Sequence, residues 1–252
     1  MRIGPLHSEA VLAYSAAAIG AGGVVRRALI GFAAIGLAVP AGAGFDAPLK
    51  SEIVATGPKS ARHCLTFPTF LLKWEADTTG GSPLIVIVPG KGPWPCAEMI
   101  AGQKHLQHWE MARVKGPYIV LSYAAQKDYA AEFKVFDTKA WRYVAEAALF
   151  NDFTSVRLDG HDLVLQYRRS INRECSLYYG AGTACWSEIK ALTGLTNAQM
   201  PDCRTAYEIA KKKLNVADIT GYPATVTFNA ETRVADGKVI AEALPGPITC
   251  EP

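Results

Sequence analysis

Apolar and polar positions change period several times along the chain, and each change predicts an element. Leu84-Ile-Val-Ile-Val88 is an unbroken apolar run, which reads as a strand buried on both faces. Leu65 to Trp74 predicts an earlier strand carrying an edge-type Pro68. Within 96–114, Met99, Gly102, Leu106, Trp109 and Arg113 recur at three- and four-residue spacing, which predicts a helix stopped by Gly116-Pro117. Tyr118-Ile-Val-Leu-Ser-Tyr123 predicts the next strand, so 84–123 reads as a βαβ unit with parallel strands.

Further on, 138–150 has a helical pattern with Asp137 as N-cap. Val156 to Tyr167 reads as a hairpin turning at Asp159-Gly160. Short helices are expected over 185–193, ended by Gly194, and over 202–214, opened by Pro201. Ala224 to Phe228 predicts a strand, and Asp236-Gly237 a turn into a last strand reaching Ala243. The sum is an α+β chain with a central mixed sheet and flanking helices.

The front of the chain follows a different logic. Arg26-Arg27 precedes twelve uncharged residues, Ala28 to Val39, then Pro40 and Ala41-Gly42-Ala43. A basic start, a short apolar core and a small-x-small site read as a secretory signal peptide over 1–43. Twelve residues are too few to span ~30 Å of hydrocarbon, so membrane contact is expected only through this segment before cleavage. Residues 44–62 then read as a polar linker or arm, and 63–252 as one disulfide-stabilised domain. The compartment expected is periplasmic or extracellular.

Composition refines this picture. The 252 residues carry a formal charge of +3. Removing 1–43 removes Arg2, Arg26, Arg27 and Glu9, which leaves +1. A nucleic-acid partner would need a basic surplus or stripe, so none is expected. All six cysteines, Cys64, Cys96, Cys175, Cys185, Cys203 and Cys250, lie beyond residue 43. An even count in an exported chain argues for three disulfides, for which fifteen pairings exist. Cys175 and Cys185 flank a Gly-rich turn and suggest a local staple. Cys250 lies where a bridge would hold the terminus.

Taken without 127–200, the outer elements run β-α-β-α-β-β. Leu214-Asn-Val-Ala-Asp-Ile-Thr-Gly-Tyr-Pro-Ala-Thr-Val-Thr-Phe228 is similar to the segment leading into the fourth core strand of the thioredoxin-like fold. Pro93-Trp-Pro-Cys96 stands where that family carries C-x-x-C. The resemblance implies a thioredoxin-like core with an insertion at 127–200. It implies a cis bond before Pro223, and Cys96 as the resolving thiol. The chain departs where the family has its nucleophilic cysteine, because Pro93 occupies that position.

Other constellations are weaker. Glu98, His105 and His108 would share one face of the expected helix, as zinc ligands could, or form a solvated polar face. Gly90-Lys-Gly92 could hold an anion at a helix start or be an ordinary turn. Asp159, His161 and Asp162 sit at a hairpin tip, where Asp-Gly is turn chemistry. Arg168, Arg169, Arg173 and Lys211 to Lys213 read as a mixed, solvated surface with nearby glutamates. No G-x-S-x-G, P-loop or cofactor motif occurs. The leading expectation is therefore a protein that binds another protein or a small ligand, with no cofactor. The alternatives are a redox protein using Cys96 and Pro223, and a metal-dependent hydrolase using His105 and His108.

Overall fold

The computed structural model describes residues 44–58, 60–77, 84–90, 96, 104–109, 111–122, 131–178 and 182–252, all within one structural unit. Every strand pair in it is antiparallel. A five-stranded sheet runs in chain order through β1 (Lys50–Gly57), β2 (Ser60–Thr66), β3 (Phe70–Asp77), β4 (Leu84–Pro89) and β5 (Lys104–His108). Trp109, buried, marks the corner where the chain leaves that sheet.

The second sheet has eight strands. β6 (Met111–Lys115), β7 (Tyr118–Ser122), β8 (Ala131–Asp137), β9 (Arg142–Asp159), β10 (Asp162–Arg173), β11 (Ala224–Ala235) and β12 (Lys238–Ala243) lie in sequence order. β13 (Thr249–Glu251) pairs with the first part of β11. Helices α1 (Gly182–Thr193) and α2 (Arg204–Leu214) interrupt the meander between β10 and β11.

The expected α+β fold with a central mixed sheet is thus corrected to a β-rich, antiparallel one. In 96–114 the described part is strand, β5 and β6, because pairing with β4 and β7 overrides a short pattern that fits either period. No parallel βαβ unit forms there. The Ala-rich stretch 142–150, expected as helix, is the first half of β9, paired along β8. Asp137 still caps, but it caps a turn: its Oδ1 accepts the amides of Lys139 and Ala140 at 2.8 and 3.2 Å. Residues 131–173 form three neighbouring strands of the larger sheet, so the described part of 127–200 is no insertion into a smaller core. Of the stretch 44–62, read from sequence as a polar linker or arm, residues 50–57 are β1 and residues 60–62 open β2. The single strand expected over 65–74 is two strands, with Pro68 in the turn between them. Residues 1–43, with the expected signal peptide, lie outside the described residues.

Burial on both faces explains the apolar runs. On β7, Tyr118 and Val120 enter one core while Ile119 and Leu121 enter another. On β4, Ile85 and Ile87 share that second core with Phe70 and Leu72, between the two sheets. Val86 and Val88 join a third cluster with Leu71, Cys64 and Cys96. β9 bends where Asn151 takes a φ of +68° and the pairing with β10 slips register. Its two halves therefore flank one core, in which Phe153 and Tyr167 meet Phe133 edge-on at 5.1 Å each. Each such pair is worth about 0.5–1.5 kcal/mol beyond burial.

Three disulfides join Cys64 to Cys96, Cys175 to Cys185 and Cys203 to Cys250. The second staples the approach to α1, and the third ties β13 to the start of α2. The Tyr207 hydroxyl joins the same region together. It accepts the Leu177 amide at 3.2 Å and donates to the Tyr222 carbonyl at 3.1 Å. Such a bridged chain fits an oxidising extracellular or periplasmic setting. Among the described residues no helix is long and apolar enough to cross a membrane.

Candidate functional site

Several hairpin tips converge at one end of the molecule. The turn Gly116-Pro117 joins β6 to β7, and Thr138 to Trp141 join β8 to β9. The Thr138 amide and hydroxyl both donate to the Pro117 carbonyl, at 2.9 and 2.8 Å. The Tyr118 hydroxyl donates to His161 in the β9–β10 turn at 3.2 Å. Burial, then the carboxylates of Asp137, Asp162 and Asp236, pushes the Tyr118 phenol up. The smaller sheet brings its β2–β3 turn, Phe67 to Phe70, to this end as well.

Between these turns lies an apolar groove of about 490 Å³. Phe67, Phe70 and Val114 are its buried floor, and Leu49, Pro117 and Trp141 form its walls. Its loops are fixed by their own hydrogen bonds. The Phe67 amide donates to the Phe70 carbonyl at 2.9 Å, and Gly90 N–H closes on Thr69 at 3.0 Å. The segment 44–49 straps across from sheet to sheet: the Asp46 amide donates to Val114 at 2.7 Å, and the Leu49 amide to Thr66 at 2.8 Å. The Asp46 carboxylate pairs with Lys115 at 2.9 Å and accepts the Gly116 amide at 2.6 Å.

Trp141 is the unusual member. Its φ is +57°, in the left-handed region that bulky side chains avoid at a cost of roughly 1–2 kcal/mol. Trp141 is the last residue of the loop 138–141 that joins β8 to β9. The indole is held edge-on to Phe136 at 5.6 Å, and the Trp141 carbonyl accepts Lys104 Nζ at 3.1 Å. Lys139, next to it on the rim, is exposed and makes no ion pair among the described residues. The arrangement can take up an apolar body and meet a negative end, with little ordering cost because the walls are already set.

The residues singled out by sequence do not assemble. Cys96 is buried and bridged to Cys64 on the outer face of the five-stranded sheet, whereas Pro223 leads into β11 of the other sheet. The Tyr222–Pro223 bond is trans. Glu98 lies outside the described residues. His105 and His108 are on a strand, so the helical spacing that would group them does not apply, and His105 is exposed. Among the described residues no cluster of three or more His, Cys, Asp or Glu could hold a metal. The Gly90 amide is spent on Thr69, and Lys91 and Gly92 lie outside the described residues. Asp159 and Asp162 both pair with Arg233, at 3.0 and 3.2 Å. Arg168 donates to the Thr227 and Thr249 hydroxyls, and Arg173 pairs with Glu188 at 3.2 Å.

One buried charge stands apart. Lys73, on β3 across from Cys64, is 2% exposed, and burial, then the Arg62 charge, lowers its ammonium from the usual value. The groove residues Leu49, Phe67 and Phe70 went unrecognised in the sequence because they meet only through long-range pairing, and periodicity cannot separate a groove-lining Trp141 from a core one. The one local signal was Phe67-Pro-Thr-Phe70, a turn signature read there as strand. No protein-family model, curated protein or solved structure matches the chain.

Proposed function

We propose that the protein acts by binding a small amphiphile, with an apolar body and an anionic end, in the groove between the hairpin tips. The observation that carries this reading is the groove itself. Its volume of about 490 Å³ falls in the ~300–1,000 Å³ range of ligand sites, and its lining is mostly apolar and aromatic. The left-handed Trp141 supports it, since backbone strain of this kind gathers at ligand clamps. Lys139 supplies the charge for the polar end. The disulfides suit a binder working in an oxidising compartment.

The test uses anilinonaphthalene sulfonate as an anionic apolar probe, displaced by decanoate, with decanol as the neutral control. Wild-type protein should bind the probe and release it to decanoate. Trp141→Ala should weaken both at least about tenfold. Lys139→Glu should weaken decanoate and spare decanol. Unchanged probe binding in a folded Trp141→Ala protein would overturn the proposal.

A further inference from the structure

Among the described residues, β12 is one open edge of the eight-stranded sheet. Lys238-Val-Ile-Ala-Glu-Ala243 pairs with β11 along one side only, from Ala235 opposite Lys238 to Ala230 opposite Ala243. Residues 238–242 are exposed on both faces, including Val239 at 44% and Ile240 at 47%. At one end the edge is bounded by the Asp236-Gly237 turn. At the other, Pro245 and Pro247 follow, and neither can donate to a ladder. The open stretch is thus six residues long.

The hairpin fixes which backbone groups face outward. Asp236 and Gly237 both have positive φ, 47° and 73°, as a type I′ two-residue turn requires. The pair closing such a turn is hydrogen-bonded, so Lys238, Ile240 and Glu242 direct their amides and carbonyls to β11. Val239, Ala241 and Ala243 direct theirs away from the sheet.

We infer that this edge pairs antiparallel with the β12 edge of a second copy of the chain, about a two-fold axis at Ile240. In that register Val239 exchanges hydrogen bonds with Ala241 of the second copy, and the reverse. Ile240 meets its own counterpart as a close, non-hydrogen-bonded pair. Lys238 stands opposite Glu242 of the second copy at both ends of the seam, so opposite charges meet twice. A shift of two residues destroys this match, because it sets Glu242 against Ile240 or against Asp236. A shift of one residue sets outward amides against inward ones. The interface is isologous and closes after two copies. It is smaller than a standard stable interface, so the dimer is reversible and concentration-dependent. The inference is independent of the groove.

The test is sedimentation equilibrium of the disulfide-intact protein over a wide concentration range at low salt. Wild type should show a monomer–dimer equilibrium. Lys238→Glu and Glu242→Lys should each weaken it about tenfold, since each sets like charges together. The doubly swapped protein should recover dimerisation to within about twofold, because the opposite charges then face each other again. Val239→Pro removes an outward N–H that β11 does not use, so it should abolish dimers while leaving the circular dichroism unchanged. If Val239→Pro fails to fold, the charge swap decides alone. A monomer at every concentration, a dimer indifferent to the single reversals, or no recovery in the double swap would overturn the inference. The first outcome would leave the edge to a strand of another protein.

Discussion

The Asp46 carboxylate accepts the Gly116 amide at 2.6 Å, which fastens the strap 44–49 to the turn between β6 and β7. Gly116 takes a φ of +56°, and a Cβ there would lie 2.8 Å from the Leu158 side chain, so the turn that offers this amide needs glycine. Lys115 adds an ion pair to the same carboxylate at 2.9 Å. Together these contacts hold Leu49 over the groove.

Asp46→Ala should therefore cost about 1–2 kcal/mol in urea unfolding, the worth of a charged hydrogen bond with a partly exposed ion pair. It should also weaken probe binding in the groove. Asp46→Asn keeps an acceptor for Gly116 and should lose less. Equal stability of wild type and Asp46→Ala would show that the strap is not fastened here.

Trp141 yields a comparison that separates backbone from side chain. Trp141→Ala and Trp141→Gly both remove the indole, but only glycine accepts a φ of +57° without penalty. Trp141→Gly should be more stable than Trp141→Ala by about 1 kcal/mol, the reverse of the usual order in a strand or helix. Thermal unfolding of the two variants side by side reads the difference. Alanine as the more stable variant would contradict the loop geometry.

The bridges differ in the length of chain that they close. Cys203–Cys250 spans 47 residues and Cys175–Cys185 spans 10. On loop-closure entropy the first should contribute about 4 kcal/mol and the second about 3. Replacing each pair by alanines and comparing urea midpoints checks the order. Loss of the longer bridge should in addition speed hydrogen exchange in β13, which depends on Cys250 for its hold.

Asp152 gives a pH dependence of known sign. Burial alone would raise its carboxyl, but the Arg113 hydrogen bond, the Phe153 amide and the Arg113 charge together hold it below the usual carboxylate range. Arg113 approaches it at 2.7 Å while stacking over Phe45. A carboxylate lowered by folding stabilises the protein above its unfolded value of ~4. That contribution fades as pH falls through the lower folded value. Asp152→Asn should be less stable than wild type at neutral pH and should close the gap as pH drops below about 4. A gap that persists unchanged in acid would contradict the assignment.

Much of the chain was legible at short range. The 84–88 and 118–123 runs were read as strands, and the structure buries β4 and the described part of the second run, β7, on both faces. The turn at Asp236-Gly237, the two helices near 185–193 and 202–214, and the strands β11 and β12 also hold; the hairpin at 156–167 forms with its turn one residue later than expected, at Gly160-His161, and β13 was not read from the sequence. What sequence could not show is partnership. Ala145-Glu-Ala-Ala-Leu149 has the composition of a helix, and only the neighbouring β8 makes it a strand. Leu106 fits a helical stripe and a strand equally well over so few residues. An assumed intervening helix turns strands of two different sheets into a parallel βαβ unit, and gives His105, His108, Cys96 and Pro223 a geometry they do not have. The groove was illegible for the same reason: Leu49, Phe67, Val114 and Trp141 lie on a strap, a turn, a strand and a second turn that only the completed meander brings together.

The most direct test of the binding groove is chemical-shift mapping of the isotope-labelled, disulfide-intact protein during titration with decanoate. Decanoate seated in the groove should give saturable shifts of the Trp141 indole N–H and of the amides of Leu49, Phe67, Gly116 and Lys139, with the outer face of the five-stranded sheet left still. Shifts confined to any other surface, or none up to the solubility of decanoate, would contradict it.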